Sequence, residues 1–201
     1  GLAVAPRRLG GTIMAASAIP TAAALTLFGF AAKGPGAMTS LTLTGLMLDA
    51  ALWTAQMAKM KSGQRYIRCG GSLGWGFPGT LGVRAALPAN TPVIGFAGDA
   101  GFYYHMAEME TAARASINAV MVVNNNYSGG VAEAAMFQKE VNFAKVADAM
   151  GCAGFRVEKP ADIRGALDNA LACGKPAIVE IIGNASIRAK RGWAPAGISG
   201  E

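Results

Sequence analysis

The stretch Gly98–Asn126, GDAGFYYHMAEMETAARASINAVMVVNNN, opens on a carboxylate in a Gly-rich turn and closes on three asparagines after an apolar run. Between them, Met106, Met109 and Ala113 recur at helical spacing, which predicts a helix over Phe102–Ser116. Ala119–Val123 is apolar and β-branched and reads as a buried strand, as does Thr91–Ala97 just upstream. Strand, helix, strand is the unit of a parallel sheet covered on both faces. Such sheets bind ligands at the carboxyl ends of their strands. Asp99 falls just past one predicted strand and Asn124–Asn126 just past the next, so neighbouring strands would bring both groups to one edge.

The alternation extends through most of the chain. Residues 53–61 read as helix, Tyr66–Arg68 as a short strand and Leu73–Leu87 as a Gly-rich helix. Beyond the opening stretch come helix Phe143–Met150, strand Gly154–Val157, helix Ala161–Ala172 and strand Ala177–Ile182. The predicted fold class is α/β, a parallel sheet with helices on both faces.

The N-terminal part is different. Arg7, Arg8 and Lys33 are the only charges before Asp49. Leu9–Ala32 is apolar and follows a basic pair, which raises a membrane span or secretory signal. Pro20 in mid-run and dilution by Gly and Thr argue against both. Residues 1–48 are therefore an unassigned apolar segment, with Gly34-Pro35-Gly36 a plausible breaker. The start at Gly1 reads as a fragment or processed product. The domain expected to carry function spans 49–185, followed by a tail, 186–201.

Composition excludes several classes. The net charge is +6 and the pI about 9.5. The basic residues are scattered apart from groups at Lys59, Lys61, Arg65, Arg68 and at Arg188, Lys190, Arg191, and they form no basic stripe with base-stacking aromatics, so nucleic acid is not an expected partner. Cys69, Cys152 and Cys173 are widely spaced and His105 is the one histidine. That argues against a disulfide framework, a zinc site and a Ser-His-Asp triad, and suits a reducing cytoplasm.

At the predicted edge, Asp99 offers a carboxylate oxygen and an asparagine an amide oxygen, the hard donors that Mg²⁺ takes alongside phosphate oxygens. The turn Asp99-Ala100-Gly101 would present backbone N–H groups to a phosphate at a helix start. A helix N-cap and an ordinary turn fit the same spacing equally well.

Three segments in order carry a resemblance. Asp99 in GDAG followed 27 residues later by Asn126 resembles the GDG…NN signature of thiamine-diphosphate enzymes. GGSLGWGFPGTLGVRAALP at Gly70–Pro88 is similar to the segment preceding that signature in acetolactate synthase and benzoylformate decarboxylase. EVNFAKVADAMGCAGFRVEKPADIRGALDNALACGKPAIVEI at Glu140–Ile181 is similar to the stretch that closes the same domain.

The resemblance implies thiamine diphosphate and Mg²⁺ as cofactors, in the C-terminal diphosphate-binding domain of such an enzyme. Asp99, Asn126 and the Ser128 carbonyl would be the metal's protein ligands, and Ala100 and Gly101 amides would hold the diphosphate. Leu73 would wedge under the cofactor to bend it, and Gly71 would receive the aminopyrimidine's amino group. Ser72 and Gly129 complete the cofactor-binding set. Without the resemblance Leu73 would read as core. His105, shortly after the turn, would face substrate or the outer helix face. Tyr103, Tyr104 and Tyr127 flank the edge and read as packing, and Trp75 reads as core.

The implied activity is 2-oxo acid decarboxylation or carboligation. The alternatives are a 2-hydroxyacyl-CoA lyase or oxalyl-CoA decarboxylase, with Arg188–Arg191 near a CoA phosphate, and a non-catalytic scaffold subunit. The family's activating glutamate sits on a pyrimidine-binding domain for which this chain has no room, so neither Glu108 nor Glu110 takes that role. A homo- or hetero-oligomeric partner would supply it, and the chain alone would be inert. Asp49 is the one charged group in LMLDAALW, just before the first predicted helix, where the family usually carries more polar groups. Ala100 replaces the usual Gly and would cost about 1 kcal/mol if the turn needed φ > 0.

Overall fold

The computed structural model describes residues 40–44, 62–69, 73–127 and 141–184. They form strands β1 (Ser40–Thr44), β2 (Arg65–Cys69), β3 (Val93–Gly98), β4 (Val120–Asn125), β5 (Ala153–Val157) and β6 (Ala177–Ile182). The helices are α1 (Gly76–Ala86), α2 (Asp99–Tyr103), α3 (Glu108–Arg114), α4 (Phe143–Ala149) and α5 (Ile163–Ala172), the last preceded by a 3₁₀ turn, Pro160–Asp162. The strands make one sheet in the order β2-β1-β3-β4-β6-β5, with every pairing parallel. This is the α/β class expected, with both faces covered.

Side-chain alternation sorts the core into two layers. Ile94, Phe96, Val120, Val122, Ala177, Val179 and Ile181 face α5, packing on Ile163, Leu167 and Ala170. Ala97, Met121, Val123 and Ile178 face the other way, onto Phe77, Leu81, Phe102, Met109, Phe143 and Ala147 of the remaining helices. The β-branched runs suit strands buried on both faces. Phe102 anchors the second layer: it is fully buried between Phe77 and Phe143, with ring centroids 5.3 and 5.2 Å away. Buried Arg84 closes the end of α1 by donating to the carbonyls of Leu87, Pro88 and Thr91.

Several boundaries differ from the sequence expectation. Ser40–Thr44, in the segment left unassigned, is an interior strand between β2 and β3. The helix expected over Leu73–Leu87 starts only at Gly76, because Gly74 has φ +94° and Leu73–Trp75 are a turn. Trp75 is half-buried rather than core, its indole lying over Gly79. The helix expected over Phe102–Ser116 is two: α2 begins at Asp99 itself, and i→i+3 bonds such as His105 N–H to Phe102 C=O tighten residues 104–107 into turns before α3. Ala161 and Asp162 belong to the 3₁₀ turn before α5. Helix 53–61, the breaker at Gly34–Gly36, the apolar run Leu9–Ala32 and the tail after 184 lie outside the described residues. Among the described residues no helix is long and apolar enough to cross a membrane.

Helix α4 lies tight on β5. A Cβ at Gly154 would sit 2.0 Å from the Ala144 carbonyl oxygen, and the Gly154 N–H donates to Asp148 Oδ1 at 2.9 Å. Backbone, not a flexible side chain, occupies that space. Gly154→Ala is therefore expected to cost about 2 kcal/mol, read as a lower urea midpoint with an unchanged m-value.

Candidate functional site

The site is built where β3 and β4 end. Gly98 pairs with Asn124, so the residues that follow each strand leave the sheet side by side. Asp99 is buried, 3% exposed, and its Oδ1 accepts from the Ala100 N–H at 2.7 Å. That N–H, expected to serve a diphosphate, is engaged by the neighbouring carboxylate. Helix α2 has only five residues, so its dipole is smaller than a helix through Ser116 would have supplied. Ala100 is helical and buried, and a positive φ is found at neither Ala100 nor Gly101, so the substitution carries no backbone penalty.

The three asparagines part company. Asn124 and Asn125 lie inside β4 rather than past it, and only Asn126 follows the strand. Alternation turns Asn125 to the α4 side, where its Nδ2 donates to Glu180 Oε1 at 2.7 Å and its Oδ1 accepts from the Tyr127 N–H at 3.2 Å. Asn124 Oδ1 lies on the other side, 2.7 Å from where a Cβ on Gly183 would be. Asn126 is half-buried beyond the strand end, on the Gly183 side.

Leu73 leans on the same edge. Its Cδ1 lies 3.6 Å from where a Cβ on Gly101 would be. The next residue, Gly74, approaches the 104–107 turn so closely that a Cβ would meet Tyr104 Cβ at 2.6 Å and His105 Cδ2 at 2.8 Å. Leu73, Gly101 and His105 are thus gathered around one pair of turns, with His105 exposed at the rim. Tyr104 is 64% exposed beside it, and Tyr103 packs edge-on against Phe143. Gly71, Ser72, Ser128 and Gly129 lie outside the described residues.

Burial, then the charges of Asp99 and Glu180, push the Tyr103 hydroxyl above its ordinary pKa, so both carboxylates act on one phenol. Among the described residues there is no group of three or more His, Cys, Asp and Glu. The donor set of one carboxylate and one amide oxygen at adjacent strand ends nevertheless fits Mg²⁺ completed by phosphate oxygens. Cys152 is no rival centre: burial, with the Asp148 charge, pushes its thiol up to about 11.

Residues 49–181 match the family described as thiamine pyrophosphate enzyme, C-terminal TPP binding domain. The chain belongs to that family. It is 33% identical over 144 residues to the mitochondrial acetolactate synthase catalytic subunit of Aspergillus candidus, covering 65% of this chain and 21% of that protein. It is 33% identical over 169 residues to glyoxylate carboligase of Escherichia coli O157:H7, covering 71% and 28%. A probable sulfoacetaldehyde acetyltransferase of Rhizobium meliloti (strain 1021) is 32% identical over 142 residues, covering 62% and 24%. The chain spans about a quarter of the length of the curated relatives it matches. The thiamine-diphosphate-binding assignment agrees with the resemblance drawn from the three sequence segments.

One buried group escaped the sequence reading. Glu180, 0% exposed in β6, accepts from Asn125 and from Arg156 Nη1 at 3.2 Å through Oε1, and from the Ala144 N–H at 3.2 Å through Oε2. Arg156 Nη2 donates to the Tyr127 hydroxyl at 3.0 Å. The available signal was the lone charge in AIVEII, since a charge in a doubly buried strand must be paired. Glu180→Ala leaves three donors facing a cavity and is expected to cost about 3–5 kcal/mol. Chemical denaturation should show Glu180→Gln to be milder, because one amide oxygen still accepts.

Proposed function

We propose that the edge formed by Asp99, Ala100, Gly101 and Asn126 holds the Mg²⁺ and diphosphate of thiamine diphosphate, with the Ser128 carbonyl as a third ligand. The observation that carries this reading is the in-register pairing of Gly98 with Asn124, which sets two oxygen donors at adjacent strand ends. Buried Asp99 would offset part of the ion's charge while Asn126 orients it. Leu73, lying against Gly101, would bear on the bound cofactor from below. Gly71, Ser72 and Gly129 would approach it through their backbones. His105 at the rim would face substrate.

When bound, thiamine diphosphate supplies the carbanion chemistry and the electron sink. This chain's part is to bind, orient and exclude water around it. The proposed reaction class is decarboxylation or carboligation of a 2-oxo acid. The names of two relatives, an acetolactate synthase and a glyoxylate carboligase, support a small oxo acid as the substrate class. A pyrimidine-binding domain with its glutamate, on another domain or subunit, would complete the site. The functional unit takes in the interior strand Ser40–Thr44 as well as 49–185, in a reducing cytoplasm.

Calorimetry with thiamine diphosphate and Mg²⁺, on the chain alone and with a pyrimidine-domain partner, tests the site. Asp99→Ala is expected to abolish Mg²⁺-dependent binding, with cooperative thermal unfolding as the control that the chain still folds. Unchanged affinity would remove Asp99 from the ligands. Product analysis of the reconstituted complex with pyruvate against an acyl-CoA should show turnover of pyruvate.

A further inference from the structure

The Glu180 cluster is larger than the capping of a helix requires. Tyr127 has φ +60°, a left-handed conformation that a bulky residue rarely adopts and that persists only where its surroundings over-determine it. Here they do. The Tyr127 N–H is held by Asn125 Oδ1, and Asn125 Nδ2 returns to Glu180 Oε1. At the other end the Tyr127 hydroxyl accepts from Arg156 Nη2, and Arg156 Nη1 returns to the same Glu180 Oε1. Both ends of Tyr127 are thus tied to one carboxylate oxygen in a closed ring. The strands that carry Arg156 and Glu180 are themselves locked in register, with Arg156 opposite Glu180. Asn126 is the residue enclosed between the two pinned positions, Asn125 and Tyr127.

We propose that Glu180 and Arg156 are positioning residues for the metal side of the site. They hold Tyr127 in its strained conformation and so fix the direction in which the chain presents Asn126. The inference rests on the reading of Asn126 as a metal ligand. It adds a device reaching across β6 to the sheet edge at β5 that acts through Asn125 and Tyr127. Neither residue touches the ion. Glu180 is paired with Arg156 and with two N–H donors, and its part in presenting Asn126 is geometric.

The test uses the full chain with Tyr127→Phe, which deletes one hydroxyl, and Arg156→Lys, which keeps the charge but loses the fork. Amide exchange of the segment covering 123–127, without ligand, reads the latch directly. Calorimetry with Mg²⁺ and thiamine diphosphate reads its consequence, with thermal unfolding as the control. Exchange there is expected to rise by about threefold or more in both variants. Mg²⁺-dependent affinity should fall about fivefold to tenfold, the scale of one lost hydrogen bond, with the thermal midpoint of Tyr127→Phe nearly unmoved. Unchanged exchange and affinity overturn the proposal, as does a fall in affinity that only tracks a global loss of stability. Binding lost in Asp99→Ala but intact in both latch variants overturns the latch and leaves the metal reading standing. A wild-type chain that binds nothing, alone or with its partner, overturns the metal reading and the latch with it.

Discussion

The parallel ladder between Val93–Gly98 and Val120–Asn125 is the constraint on which the rest depends. Parallel strands need a crossover, and here α2, the 104–107 turns and α3 supply it. Because the pairing sets Gly98 against Asn124, the chain leaves both strands at the same edge of the sheet. A one-residue slip would turn Asn125 away from Glu180 and take one donor from a buried carboxylate. The apolar layers on either face make such a slip costly, since it would reverse Met121 and Val123 against Val120 and Val122.

The same register explains why three consecutive asparagines do different things. Alternation sends Asn124 to the Gly183 side and Asn125 toward α4, while Asn126 escapes the ladder. Asn125 serves the fold, tying β4 to β6 beneath the edge. A polar triplet at the end of a buried strand is therefore one network residue and one candidate ligand rather than three equivalent donors. The two buried carboxylates differ in the same way: Glu180 is paired with Arg156 within the sheet, whereas Asp99 lies at a strand end.

Much of this was legible locally. The strand at Ala177–Ile182 matches residue for residue, and strands near 66–68, 91–97, 119–123 and 154–157 shift by only one or two positions, because doubly buried β-branched runs have few other uses. Helices were harder at their ends. Nothing in LGWG shows that Gly74 takes φ +94° and delays α1, nor that residues 104–107 tighten to bring His105 over Gly74. Both depend on contacts between segments some thirty residues apart, where propensity has no view.

By itself the sequence determined the α/β alternation, the family and the carboxylate Asp99 at a strand end, because periodicity and motif spacing are properties of contiguous residues. Tertiary structure alone decided that Ser40–Thr44 enters the middle of the sheet, that Glu180 meets Arg156, Asn125 and the Ala144 N–H, and that Tyr127 is held left-handed. Each of these is a choice of partner across the sheet. A chain can advertise a buried charge or a short apolar run, but which distant group satisfies it is settled only when the strands are ordered and their register is set.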